Sequence, residues 1–152
     1  MLDLNEELYQ LIRALDDAHV AYALCGGLAL AVHGKVRATI DIDLLVERDA
    51  LHAVKERCRS RGFTIEADPM PLAGGDVVIE RLSTVIDNEV VSVDLLVVTD
   101  ATRGAWDSRL AVQWRGTELW VVSRDGLISL KQLRRSGQDL DDIAWLEQND
   151  GD

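Results

Sequence analysis

Cysteine, proline and basic residues are all scarce in this chain of 152 residues. Two cysteines, Cys25 and Cys58, cannot build a disulfide framework, and their spacing is not that of a metal site. Cys25 falls in an apolar run that reads as a strand and Cys58 in one that reads as a helix, so both are expected to be buried free thiols. The two prolines fall within residues 68–75, together with two glycines, which marks that stretch as a loop. Against 27 acidic residues there are 16 lysines and arginines, a net charge of −11. That balance weighs against broad, sequence-independent nucleic-acid binding, which rests on phosphate neutralisation, but leaves room for a local basic patch. No apolar run approaches the ~20 residues that a membrane helix needs. The acidic, amphipathic N-terminus fits neither a signal nor a transit peptide, so a cytoplasmic protein with no membrane association is expected.

What is present is an ordinary globular composition, with 47% apolar residues. One domain over 1–152 is expected, with a core at about 20–122 and terminal helices at about 123–148. Leu4, Leu8, Leu11, Ile12 and Leu15 recur at helical spacing over 3–18, behind a capping box from Asp3 to Glu6. A strand is expected at 20–24, a short helix at 28–33 and a strand at 39–46. A helix follows at 51–60 and a short strand at 63–66. Residues 77–86 and 90–98 form a hairpin around Asp87-Asn88-Glu89, and a short helix covers 101–109. A second hairpin, 111–114 with 118–122, turns through Arg115-Gly116-Thr117. Helices at 125–135 and 139–147 end the chain, divided by Ser136-Gly137, with Leu140, Ile143 and Leu146 of the second pointing inward. This order gives an α/β or α+β fold with a mixed sheet flanked by helices and a short C-terminal helical segment.

Two stretches carry chemistry. Asp41 and Asp43 are two apart on a strand and project from one face, leaving Ile40, Ile42 and Leu44 to the core. Like charges side by side repel, and a divalent cation relieves them directly. Asp94 lies in an apolar run, Val90 to Val97, where an unpaired carboxylate is costly. Sharing the same cation site on a neighbouring strand removes that cost; the competing reading has the aspartates at exposed strand ends or paired with arginines. Gly26-Gly27 closes one strand and opens a helix, either as a plain turn or as a place where phosphate meets free N–H groups. Thirteen residues separate Gly27 from Asp41, enough for one helix and a return to the sheet.

The run Gly26-Gly27-Leu28-Ala29, His33-Gly34, Arg37-Ala38-Thr39-Ile40-Asp41-Ile42-Asp43 resembles the signature of the DNA polymerase β-like nucleotidyltransferase superfamily. In detail it is similar to the AbiEii-type branch, which includes toxins of toxin–antitoxin systems, as is the C-terminal pattern Leu127-Ile128-Ser129-Leu130-Lys131 with Gln138-Asp139-Leu140-Asp141-Asp142-Ile143. The resemblance implies a nucleotidyltransferase that moves NMP from an NTP to a hydroxyl on tRNA, protein or a small molecule. It implies Mg²⁺, or Mn²⁺ in its place, held by Asp41, Asp43 and Asp94, the last also activating the acceptor. It implies that Gly26 and Gly27 position the phosphates, that Lys131 contacts the triphosphate, that Asp139 orients Lys131 or the base, and that an antitoxin is a candidate partner. Arg37, just before the carboxylate strand, either neutralises a phosphate or pairs with a local acid.

Other residues read more plainly. His33 stands at a helix end, where a capping role is expected, and His19 and His52 are expected at the surface. Trp106, Trp114, Trp120 and Trp145 belong to core or interface. Lys55, Arg57, Arg59 and Arg61 form a basic cluster, with solvated charges on a helix face as the plain alternative. A noncatalytic or regulatory protein of the same fold, acting through a partner, is the rival function. An aspartyl phosphatase is disfavoured, because Leu44-Leu45-Val46 continue the strand beyond the aspartates.

Overall fold

A computed structural model describes residues 2–36, 39–134 and 137–149. Helix α1, Leu4–Asp17, opens where the Glu6 N–H donates to the Asp3 carboxylate at 3.2 Å, the first half of the expected capping box. Its stripe of Leu8, Leu11, Ile12 and Leu15 is buried. Strand β1, Ala23–Cys25, passes without a loop into helix α2, Gly26–Val32, and strand β2 follows at Asp41–Val46. Helix α3, Leu51–Ser60, then leads to the short strands β3, Ile65–Glu66, and β4, Met70–Leu72. The long hairpin is β5, Val77–Ile86, with β6, Glu89–Val97. Helix α4, Arg103–Asp107, precedes the second hairpin of β7, Leu110–Trp114, and β8, Thr117–Val121. Helices α5, Arg124–Arg134, and α6, Gly137–Gln148, complete the described chain.

The strands form one mixed sheet in the order β3-β5-β6-β2-β1-β8-β7, with β4 beside β5. At its centre β2 runs parallel to β6 and antiparallel to β1. The pleat sorts side chains onto two faces. Leu24 and Leu44 share one face with α1 and α3, where Lys55 of α3 reaches Glu80 of β5 as an ion pair. Cys25, Asp43 and Asp94 share the other, where Leu127, Leu130 and Lys131 of α5 gather around Asp43 and Leu96. Every residue of β6 from Val91 to Val97 is buried, which explains why that strand reads as apolar on both faces.

Three expectations are corrected. The stretch 68–75 is not all loop: Met70–Leu72 pairs antiparallel with β5, and an edge strand tolerates Pro71 because one side of it needs no ladder partner. Ile40 is 52% exposed, since β2 starts only at Asp41. Leu140 is 55% exposed, whereas Asp139, Asp142 and Leu146 are buried. The inward stripe of α6 is thus partly acidic, because lysines from elsewhere in the fold meet it. No helix among the described residues is long and apolar enough to cross a membrane.

Candidate functional site

Strand register lines up the site. Asp43 of β2 lies opposite Asp94 of β6 and opposite Cys25 of β1, while Asp41 lies opposite Ser92. Asp94 in turn lies opposite Arg81 of β5, and Ser92 opposite Ser83. The result is a row across four strands, Cys25, Asp43, Asp94 and Arg81, with Asp41, Ser92 and Ser83 as a second row beside it. The Ser83 and Ser92 hydroxyls share a buried hydrogen bond of 2.8 Å. Above the rows is a cleft of about 220 Å³ lined by Gly26, Gly27, Thr39, Asp41, Asp43, Arg81, Asp94, Lys131, Arg134 and Asp139. All seven of the expected site residues that are described therefore line one cleft; Arg37 lies outside the described residues. Both β2 aspartates stand at the start of their strand, which removes the aspartyl-phosphatase geometry.

Gly26 has a steric reason to be glycine. Its φ of +69° makes the sharp turn from β1 into α2, and a Cβ there would sit 2.1 Å from Oδ2 of Asp43. The missing side chain is the space that the Asp43 carboxylate occupies. Burial, then the neighbouring charges of Asp94 and Asp41, push the Asp43 carboxyl up to about 7. Burial and Asp94 also raise Asp41, opposed by Arg81. Asp94 is not an unpaired charge, as the sequence suggested. Arg81 Nε donates to its Oδ1 at 2.6 Å and Nη2 to its Oδ2 at 2.8 Å, a bidentate pair that supplies the cost of burial. The arginine pairing weighed as the plain alternative thus holds for Asp94.

Lys131 is buried on α5, 3.8 Å from Asp139 and 3.1 Å from Asp142. Asp142, fully buried, also accepts from Lys35 Nζ at 2.7 Å. The ammonium that faces the cleft is therefore fixed from α6 by two carboxylates. Arg134, one turn beyond Lys131, lines the same cleft and favours ionisation of Asp43. Arg81 and Asp142 escaped the sequence reading, though both left a trace. The Asp87-Asn88 turn pairs Ile86 with Glu89, and counting back from it brings Arg81 opposite Asp94. Asp142 follows Asp139 by three, which is one helical face.

Outside the cleft, the plain readings hold in part: Trp120, expected in core or interface, is 38% exposed. Arg59 pairs with Glu56 and Glu66 at the surface, whereas Lys55, expected on a solvated face, is largely covered and pairs with Glu66 and the buried Glu80. His33 ends α2, and its Nε2 lies 3.0 Å from the Val122 carbonyl. Trp106 is buried beneath the Arg109 guanidinium, 4.0 Å from the ring centroid.

Among the described residues, no three acidic, histidine or cysteine side chains converge on one point as a ready-made metal cage. The donor set nevertheless fits Mg²⁺, which takes one or two hard carboxylates and fills its other positions with phosphate oxygens and water. Asp41 and Asp43 would be that pair, since both line the cleft and burial and like charge disfavour ionisation of each.

A fold with this sheet, its glycine-opened α2 and its carboxylate strand is that of a nucleotidyltransferase. The chain belongs to the aminoglycoside-2''-adenylyltransferase family, whose model matches residues 7–93, from α1 to the residue before Asp94. Among solved structures it is similar to the Thermotoga maritima protein TM1012, assigned to the nucleotidyltransferases, with a TM-score of 0.66 at 14% identity over 95% of this chain and 93% of that one. ANT(2'')-Ia in complex with adenylyl-2''-tobramycin superposes with a TM-score of 0.65 at 14% identity, over 96% and 88% of the two chains. JHP933 from Helicobacter pylori gives a TM-score of 0.54 at 19% identity, over 95% and 66%. At these identities the structural likeness speaks for the fold alone. No curated protein sequence matches the chain significantly.

Proposed function

We propose that the protein transfers a nucleotidyl group from an NTP to a hydroxyl acceptor, with Asp41, Asp43 and Asp94 as its acidic centre. The observation that carries this reading is the meeting of these three carboxylates with Gly26, Gly27 and Lys131 around one cleft. Asp41 and Asp43 would hold a divalent cation, which would supply charge neutralisation at the phosphates and at the departing pyrophosphate. Lys131, immobilised by Asp142 and Asp139, offers its ammonium to the triphosphate without an entropy cost at the moment of binding. Gly26 leaves Asp43 free to approach the start of α2, and Gly27 lines the same cleft. Asp94, oriented by Arg81 and next to Asp43, is the carboxylate that accepts the proton of the attacking hydroxyl.

The family name makes ATP the first donor and an aminoglycoside 2''-hydroxyl the first acceptor to test. The chain's net charge of −11 favours a polycationic acceptor. The toxin-like resemblance adds tRNA and protein to the panel, with an antitoxin as a partner. Incubation with each α-labelled NTP, Mg²⁺ or Mn²⁺, and aminoglycosides, total tRNA or protein lysate in turn tests the proposal. Transfer of label by the wild type and its loss in Asp43→Asn is the expected result. Equal incorporation by the variant rejects this site, and no incorporation with any acceptor favours the noncatalytic alternative.

A further inference from the structure

Arg81 is the one residue in the row Cys25, Asp43, Asp94, Arg81 that carries positive charge, and its reach extends beyond Asp94. Besides the bidentate pair with Asp94, its Nη2 lies 3.9 Å from Oδ2 of Asp41. The guanidinium thus bridges a carboxylate of β6 and one of β2. It does so from the solvent side: the Arg81 side chain is 39% exposed, against 7% for Asp94. The pairs with Asp94 and Asp41 orient it. A cation beside Asp41, one of the two carboxylates that a divalent ion needs, opposes that ion electrostatically.

We propose that Arg81 is the built-in counter-ion of the acidic centre, which pairs with Asp94 and competes with a divalent cation for Asp41. In the free protein the guanidinium neutralises Asp94 and offsets part of the charge of Asp41. A cation entering between Asp41 and Asp43 must overcome the positive charge beside Asp41, so the empty site captures bare metal weakly. This rests on the reading that Asp41 and Asp43 hold the cation. A residue that merely pinned Asp94 for structural reasons would have the opposite signature, since removing it would loosen the site and weaken metal binding.

The test is titration of nucleotide-free protein with Mn²⁺, followed by the electron paramagnetic resonance of the free ion. Arg81→Gln is expected to bind Mn²⁺ roughly tenfold more tightly than wild type, as removal of a like charge about 4 Å from a ligand implies. Arg81→Lys keeps the charge and loses the fork, so it is expected to fall between the two. Unchanged or weaker binding by Arg81→Gln overturns the proposal. Should circular dichroism show that Arg81→Gln does not fold, Arg81→Lys decides: tightening of about twofold or more supports the proposal and none overturns it. Asp43→Asn separates the two layers of the argument. If it binds Mn²⁺ as wild type does, the cation site itself falls, and the role of Arg81 with it. If it loses Mn²⁺ binding while Arg81→Gln fails to tighten, only the role of Arg81 falls.

Discussion

Replacing a proposed metal ligand is expected to stabilise this protein when no metal is supplied. Asp43 titrates at about 7 rather than 3.8, because burial and the charges of Asp94 and Asp41 disfavour its ionised form. A folded-state value above the unfolded one means that the proton binds more tightly in the fold. That contribution is complete below pH 3.8 and is lost as pH rises through 7. The rise from 3.8 to about 7 corresponds to roughly 4 kcal/mol as an upper figure. Asp43 keeps some contact with solvent, so about 1–3 kcal/mol is the working expectation. Asp43→Asn has no charge to bury. In EDTA its Tm should match or exceed that of wild type slightly at pH 5, and the gap should widen to roughly 3–10 °C at pH 8.5. Adding Mg²⁺ at pH 8.5 should raise wild type and leave the variant where it is. Differential scanning fluorimetry at four pH values, with EDTA and with Mg²⁺, measures all of this. The reasoning is refuted if the gap stays constant or narrows between pH 5 and 8.5.

Gly26→Ala places a methyl group on the Asp43 carboxylate at a positive φ, so it should lose about 1–3 kcal/mol of stability. It should also lose at least roughly a hundredfold in transfer rate, because the ligand has to move; a rate within a factor of two of wild type contradicts the steric argument. Lys131→Met keeps the aliphatic packing of α5 but removes the ammonium, so NTP affinity measured by calorimetry should fall roughly tenfold or more while Mn²⁺ affinity stays near wild type. Cys58, pushed up to about 12 by burial, should resist a thiol reagent at pH 8 until denaturant is added, as should Cys25; fast labelling of the native protein would show that either thiol is accessible.

The elements and the carboxylate strand were legible because each has a local signature. Asp3 with Glu6 starts α1, Asp87-Asn88 turns the long hairpin, and the alternation of Asp41 and Asp43 with Ile42 and Leu44 assigns two faces. What escaped depends on partners distant in sequence. Asp94 looked uncompensated because Arg81 belongs to a different strand and becomes its neighbour only through register. Leu140 looked like the inward residue of α6 because a hydrophobic count cannot foresee that Lys35 and Lys131 make acids the better occupants. The strand at Met70–Leu72 hid behind two prolines that an edge position tolerates.

The parallel register of β2 on β6 has a consequence for how this site can fail. Shifting β2 by one residue would send Asp41 and Asp43 to the face covered by α1 and α3 and deliver Ile42 and Leu44 to the cleft. Such a slip would bury two carboxylates in the core, so the same apolar packing that folds the sheet rejects every chain whose acidic centre is misassembled. Ile42 and Leu44 never face the cleft, yet they act as its proofreaders. Softening the core at either position would yield molecules that are folded in outline and blank where the chemistry belongs.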